Sequence, residues 1–371
     1  MTVVQVPGNL PQLVKAAFTK ARANGDLLYF RTQVTVLKPS SHPVGSPRGP
    51  QRRDANPSAN LLASQFQLRY SPSLASKPTS PVPGPRRAKR PFDPFENIAP
   101  ELLIAELAPT HNLVLNKFAI VPEHFILATS TFQPQTDLLE ESDLAVTYDC
   151  IEAYHTHCER GDEESSVGEG ELFAFFNSGE FSGASQPHRH IQLLPVARMR
   201  EGVEDSEWDV LAKRLVGDER DLPFTTFAEH IEPGTSPREL RNAYLRLYRR
   251  ACDAVGRHLR KHDIVDGARD QVNGPALISY NLAVTRHALI LCPRLADGAV
   301  VWDNGEVVGK LALNGTVLAG TALVKDIVEW DALRKDPAEL LQVLTAIGLP
   351  KKYEDEEVPN GKKAGCVDGK K

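Results

Sequence analysis

Cysteine is scarce in this chain: five in 371 residues (Cys150, Cys158, Cys252, Cys292 and Cys366), odd in number and widely spread. No C-x-x-C pair occurs, which argues against a disulfide framework and against a zinc ribbon. No window approaches eighteen apolar residues, so no membrane-spanning helix is expected. The opening residues, MTVVQVPGNLPQLVKAAFTKARANGDL, have no basic start followed by a long apolar run, so no secretory signal is expected there. Basic excess is missing too. Lys and Arg number 43 against 48 Asp and Glu, a net charge of -5, unlike a dedicated nucleic-acid binder. These absences together predict a reducing intracellular compartment.

What is present is an ordinary globular composition, 41% hydrophobic and 25% charged, enough for one large domain or two smaller ones. Asn9 is placed to cap a helix with Pro11 in its first turn, an apolar face of Leu13, Val14, Ala17, Phe18 and Ala21, and Gly25 as its stop. Alternation predicts a strand from about Leu27 to Leu37. Residues 39–58 have the Pro, Ser and Arg content of a disordered insertion, and a second proline-rich stretch runs through SPSLASKPTSPVPGPRRAKRPFDPF. LLASQFQLRY, HNLVLNKFAIVP, HFILATS and ELFAFFNSG read as strands, and DLLEESDLAVTYDCIEAYHTHC as a helix. After about Met199, EWDVLAKRLVG and PRELRNAYLRLYRRACDAVGRHLRKHD read as amphipathic helices. PALISYNLAVTRHALILCPR gives two strands around a turn, and Asp336 caps a last short helix. The tail, 351–371, has the composition of a disordered segment. Strand pairs interspersed with long helices point to an α+β fold.

The chemistry concentrates at SQPHRHIQLLP, Ser185 to Pro195. Residues two apart on a strand share a face, so His188, His190 and Gln192 point one way and Arg189, Ile191 and Leu193 the other. Upstream lies a loop with Asn177, Gly179, Gly183 and Ser185. Glycines allow close backbone approach, and successive N–H groups can cradle an anion. A neutral imidazole is a good nucleophile toward phosphorus when its other nitrogen is held by a hydrogen bond. Neighbouring donors can then steady the phosphate oxygens. An H-x-H pair alone is a weak signal, equally consistent with a surface or metal site. The full string NSGEFSGASQPHRHIQ is far more specific.

That string resembles the histidine-triad superfamily, in its nucleotidyltransferase branch, where glutamine replaces the third histidine. Two subfamilies carry it, the galactose-1-phosphate uridylyltransferases and the fungal-type diadenosine tetraphosphate phosphorylases, also called ATP adenylyltransferases. LASKP, HNLVLNKFAIVPEHFILATS, GASQPHRHIQLLP, ISYNLAVTRHALILCPR and LAGTALVK are similar to the second. Many uridylyltransferases hold a structural zinc through a C-x-x-C pair, which is missing here. The helical Cys150 to Cys158 stretch is a poor substitute, so no structural zinc is expected.

The resemblance implies a histidine-triad-like antiparallel sheet or half-barrel with flanking helices, extended by a C-terminal α+β part. The expected divisions are 1–38 (helix and strand), 39–58 (insertion), 59–199 (catalytic domain), 200–350 (a part completing the substrate site) and 351–371 (tail). It implies His190 as nucleophile, forming an adenylyl-histidine, with Gln192 on the phosphate under attack and His188 as a supporting phosphate and orientation contact. Substrate positions implied are Lys77, Asn116, Lys117, Asn177, Gly183, Ala184, Ser185, Gln186, Ala283, Val284, Thr285, Ile290 and Arg294. The activity implied is reversible phosphorolysis of diadenosine tetraphosphate to ADP and ATP. Magnesium is expected to accompany the substrate without a protein cage. The expected partners are dinucleoside polyphosphates, ATP, ADP and phosphate, with no nucleic acid and no membrane, and the protein a monomer. Three alternatives stay open: a histidine-triad hydrolase using water, a hexose-1-phosphate uridylyltransferase-like enzyme, and a nucleic-acid or nuclear-import role for the basic clusters QRRD (51–54) and PRRAKRP (85–91). The expected location is cytoplasmic, with a nuclear pool left open by those clusters.

Overall fold

In the computed structural model, residues 5–38, 65–72, 92–159, 168–203, 208–217 and 222–351 are described. Lys77, the insertion at 39–58, both basic clusters, Cys366 and the tail beyond 351 lie outside these residues. So does most of the acidic loop near Glu163.

An eight-stranded sheet organises the chain. Its strands lie in the order Phe227–His230, Ala288–Arg294, Ser279–Val284, Leu172–Ser178, His190–Pro195, Phe125–Thr129, His111–Leu115 and Leu103–Leu107, all antiparallel to their neighbours. Strand residues alternate faces, and each face has its own core. On one side Ala174, Phe176, Ile191, Leu193, Leu127, Leu282 and Val284 pack under the helices Glu141–Glu159 and Pro237–Leu259. On the other, Phe173, Phe175, Leu194, Ala283, Ile290 and Cys292 meet Phe66, Leu68, Trp208, Val317 and Leu344. That second layer is built around a three-stranded sheet. In it Phe66–Tyr70 lies between Gln33–Leu37 (antiparallel) and Thr321–Val324 (parallel), which explains why all five of its residues are buried.

Helix ends fall near where their sequences say, except that the basic helix stops at Leu259, where Arg260 turns left-handed (φ 56°), and His262–Arg269 forms a separate helix. Ser236 and Glu239 form a reciprocal capping box at the start of the basic helix, with Pro237 following. Gly25, at φ 80°, returns its N–H to Ala21 and Arg22 carbonyls. Asn9 precedes the first helix without a side-chain cap, whereas the Asp336 carboxylate accepts the N–H of Ala338 at 3.0 Å.

Two further expectations change. The strand expected over 27–37 is broken into Leu28–Tyr29, paired with Phe118–Ala119, and Gln33–Leu37. EWDVLAKRLVG forms no amphipathic helix: Trp208, Val210, Leu211, Ala212 and Leu215 are all fully buried, and only Leu211–Lys213 makes a 3-10 turn. A helix there would have turned part of this apolar set toward water. The sheet itself draws strands from both sides of Met199, since Ser279–Val284 pairs directly with Leu172–Ser178.

Candidate active site

The strand His190–Pro195 carries the motif between two prolines, and it begins where regular pairing stops. Its ladder to Leu172–Ser178 ends at Phe175 opposite Gln192. One step on, the side chain of Gln135 fills the gap. The N–H of His190 donates to Gln135 Oε1 at 2.7 Å, and Gln135 Nε2 donates to the carbonyls of Asn177 (2.8 Å) and His190 (3.2 Å). Buried backbone groups left unpaired here would each cost about 1–3 kcal/mol, so Gln135 holds the first residue of the strand in place.

His190 Nδ1 lies 2.8 Å from the carbonyl of His188. A carbonyl only accepts, so the ring carries its proton on Nδ1 and Nε2 keeps a bare lone pair. Burial pushes the imidazole pKa down to about 4; the bond to His188 opposes that shift and the charge of His188 adds to it. The ring is 4% exposed, with Phe95 tilted over it at 5.3 Å. At neutral pH this is an uncharged, oriented imidazole.

His188 has a different task. Nδ1 is 2.7 Å from Asp93 Oδ2, and Nε2 is 2.9 Å from the Thr129 carbonyl and 3.0 Å from its hydroxyl. Phe95 and Phe132 pack edge-on against the ring. Both nitrogens are engaged by protein, and its carbonyl orients the His190 ring. Between the two histidines, Arg189 points to the opposite face. It donates to Asp143 at 3.0 Å, and Asp143 also meets His111 Nε2 at 2.9 Å, all three buried. This network pins the strand from behind.

The glycine loop frames the mouth. Gly179 (φ 89°) and Gly183 (φ 78°) flank the turn Glu180–Ser182. A Cβ at Gly183 would sit 2.8 Å from Asn314 Cβ and 2.9 Å from the Leu313 carbonyl, so only glycine fits without a shift. Ala184, Ser185, Gln186 and Pro187 face Phe132, Pro134 and Gln135 across an open cleft of about 360 Å³.

Of the other expected positions, Gln192 is half-buried on the His190 face. Asn177 is buried, with Oδ1 accepting from Asn281 Nδ2 (2.8 Å) and the Gly315 N–H (2.9 Å). Arg294 is also buried, donating to Asn281 and to the carbonyls of Ala296, Asp297 and Leu313. Asn116 and Lys117 follow Leu115, whose level on the sheet is Leu193, about 10 Å along the strand from His190. Thr285 lies toward that same end, one residue past the Val284–Ala174 pair. Ala283 and Ile290 are core residues, and Val284 packs on the helix side, away from His190. Asp93, Thr129, Gln135 and Asn281 were not marked by the sequence motif, since each is reached only through a long-range contact.

An antiparallel sheet whose H-x-H-x-Q strand offers a neutral imidazole beside a glycine loop defines a nucleotidyltransferase of the histidine-triad type. The pattern of the Ap4A phosphorylase N-terminal domain matches residues 61–158 and 163–206, and that of the ATP adenylyltransferase C-terminal domain matches 220–350. The chain belongs to the Ap4A phosphorylase family. It is 28% identical to diadenosine 5',5'''-P1,P4-tetraphosphate phosphorylase 2 of Saccharomyces cerevisiae, across 92% of this chain and 95% of the yeast protein. It is 25% identical to the yeast Protein APA1, across 94% and 96%. The crystal structure of yeast Ap4A phosphorylase Apa2 in complex with Ap4A superposes with a TM-score of 0.67 at 23% identity, covering 94% of this chain and all of that one.

Proposed function

We propose that the protein phosphorolyses diadenosine tetraphosphate, reversibly, to ADP and ATP. The carrying observation is the His190 ring: deprotonated at Nε2, held by the His188 carbonyl, and kept neutral by burial. In the first step Nε2 attacks the α-phosphorus of one adenosine half. The P–N bond forms as the α–β bridging P–O bond breaks, and ATP leaves. The ring becomes a substituted imidazolium, and its Nδ1–H bond to the His188 carbonyl strengthens as that charge develops. Inorganic phosphate then attacks the adenylyl phosphorus, releasing ADP and restoring the neutral imidazole. Gln192 and residues 183–186 hold the phosphates in this reading.

A divalent cation, magnesium, would travel with the substrate's phosphates. The test is ATP and ADP release from diadenosine tetraphosphate with phosphate, comparing wild type with His190→Ala. An acid-labile adenylate is expected on wild type only. Release of AMP without phosphate would make the enzyme a hydrolase instead.

A further inference from the structure

Arg294 is a buried cation with no carboxylate partner among the described residues. Asp297, the nearest acid in sequence, offers it only a carbonyl and gives its carboxylate to Lys310 at 2.8 Å. Arg294 is 2% exposed, and its Nε has no hydrogen-bond partner among the described residues. A lone charge in such a place is costly to bury, so it needs a reason.

The reason lies in two amides. Arg294 Nη1 donates to Asn281 Oδ1 at 2.5 Å, and Asn281 Nδ2 donates to Asn177 Oδ1 at 2.8 Å and to the Ser182 carbonyl at 2.8 Å. The Gly315 N–H also donates to Asn177 Oδ1, at 2.9 Å. Two donors on one oxygen settle which way the Asn177 amide faces. Its Nδ2–H₂ is left with no hydrogen bond to another described residue. Asn177 shares its strand face with Phe175, which sits opposite Gln192, so this free donor lies on the His190 face, one Gln135 bridge away from the nucleophile. Each donor in the chain polarises the next amide in the same sense.

We propose that Arg294 and Asn281 form an amide relay that delivers the arginine's charge to the substrate's phosphates through the Asn177 amide, without placing a cation in the cleft. Arg294 is then a positioning residue acting at a distance, where the family resemblance implied a direct contact. The polyphosphate supplies the missing counter-charge. The inference rests on the phosphorolysis reading only in taking a nucleotide as the ligand, so binding is measured apart from turnover.

Dissociation constants of ATP and of adenosine are measured by calorimetry for wild type, Arg294→Met and Asn281→Asp. Asn281→Asp keeps an acceptor for Arg294 and cancels its charge, but cannot donate to Asn177. Loss of one charge-assisted hydrogen bond predicts ATP binding weaker by about tenfold or more in both variants, with adenosine binding unchanged. Equal weakening of ATP and adenosine would show a merely structural role and overturn the relay, as would unchanged ATP binding. Wild-type protein supplies a second reading if the variants do not fold: titration with inorganic tripolyphosphate should move the Asn177 side-chain amide protons downfield in nitrogen-edited NMR spectra. A flat titration there refutes the proposal.

Discussion

Lowering pH should destabilise the protein through one residue, His190. Its imidazole titrates near 4 when folded, because it is buried, and near 6.5 when the chain is unfolded. The unfolded state therefore binds the extra proton between those two values, and stability falls as pH drops through that window. Above pH 6.5 the contribution is complete; below pH 4 all of it is gone, about 3 kcal/mol. Between pH 7 and pH 4.5 the share lost is about 2.4 kcal/mol. His190→Asn keeps a polar side chain and does not titrate. In urea unfolding at the two pH values, wild type should lose about 2.4 kcal/mol more than the variant. A constant gap between the two proteins would refute the assignment of a neutral, desolvated nucleophile. The same shift predicts that single-turnover transfer to His190 keeps its rate down to about pH 5, where an ordinary imidazole would be almost wholly protonated.

Gln135→Leu removes both halves of the bridge at the start of the nucleophile strand. It should lower kcat by about tenfold to a hundredfold with KM little changed, measured by steady-state phosphorolysis. Gly183→Ala forces a side chain into a φ of 78° and against Asn314; about 1–2 kcal/mol of stability should go, seen as a lower melting temperature together with a raised KM for the nucleotide. Trp208→Ala empties a fully buried site whose indole donates to the Gly320 carbonyl at 3.3 Å, and should cost about 3–5 kcal/mol in chemical unfolding.

The histidine strand and its glycine loop were legible because their signals are local. Alternation places His188, His190 and Gln192 on one face, and glycine spacing marks the turn. The residues that complete the site carry no such mark. Asp93 is 95 positions from His188, Gln135 is 55 from His190, and Asn281 is 104 from Asn177. Only the folded sheet brings them together. Alternation alone did not separate the two histidines: His188, two residues before the strand, spends both nitrogens on protein, while His190, the strand's first residue, keeps one free. Residues 208–217 misled for another reason. Helical spacing of apolar residues promised a helix, whereas Trp208, Val210, Leu211, Ala212 and Leu215 are all fully buried from a segment with one 3-10 turn. Caps such as Gly25 and Asp336 could be read directly, because a cap is satisfied within four residues.

The single sheet sets a condition on when activity can appear during synthesis. Residues 172–195 bring His190, but the strand beside Leu172–Ser178 is Ser279–Val284, and the N–H that fixes Asn177 belongs to Gly315. A ribosome-bound chain that has exposed only its first two hundred residues therefore presents Leu172–Ser178 as an open edge, with no working cleft beside it. Nucleotide turnover must wait for the later strands to dock, so a chain stalled midway is inert as a catalyst and prone to pairing with its neighbours.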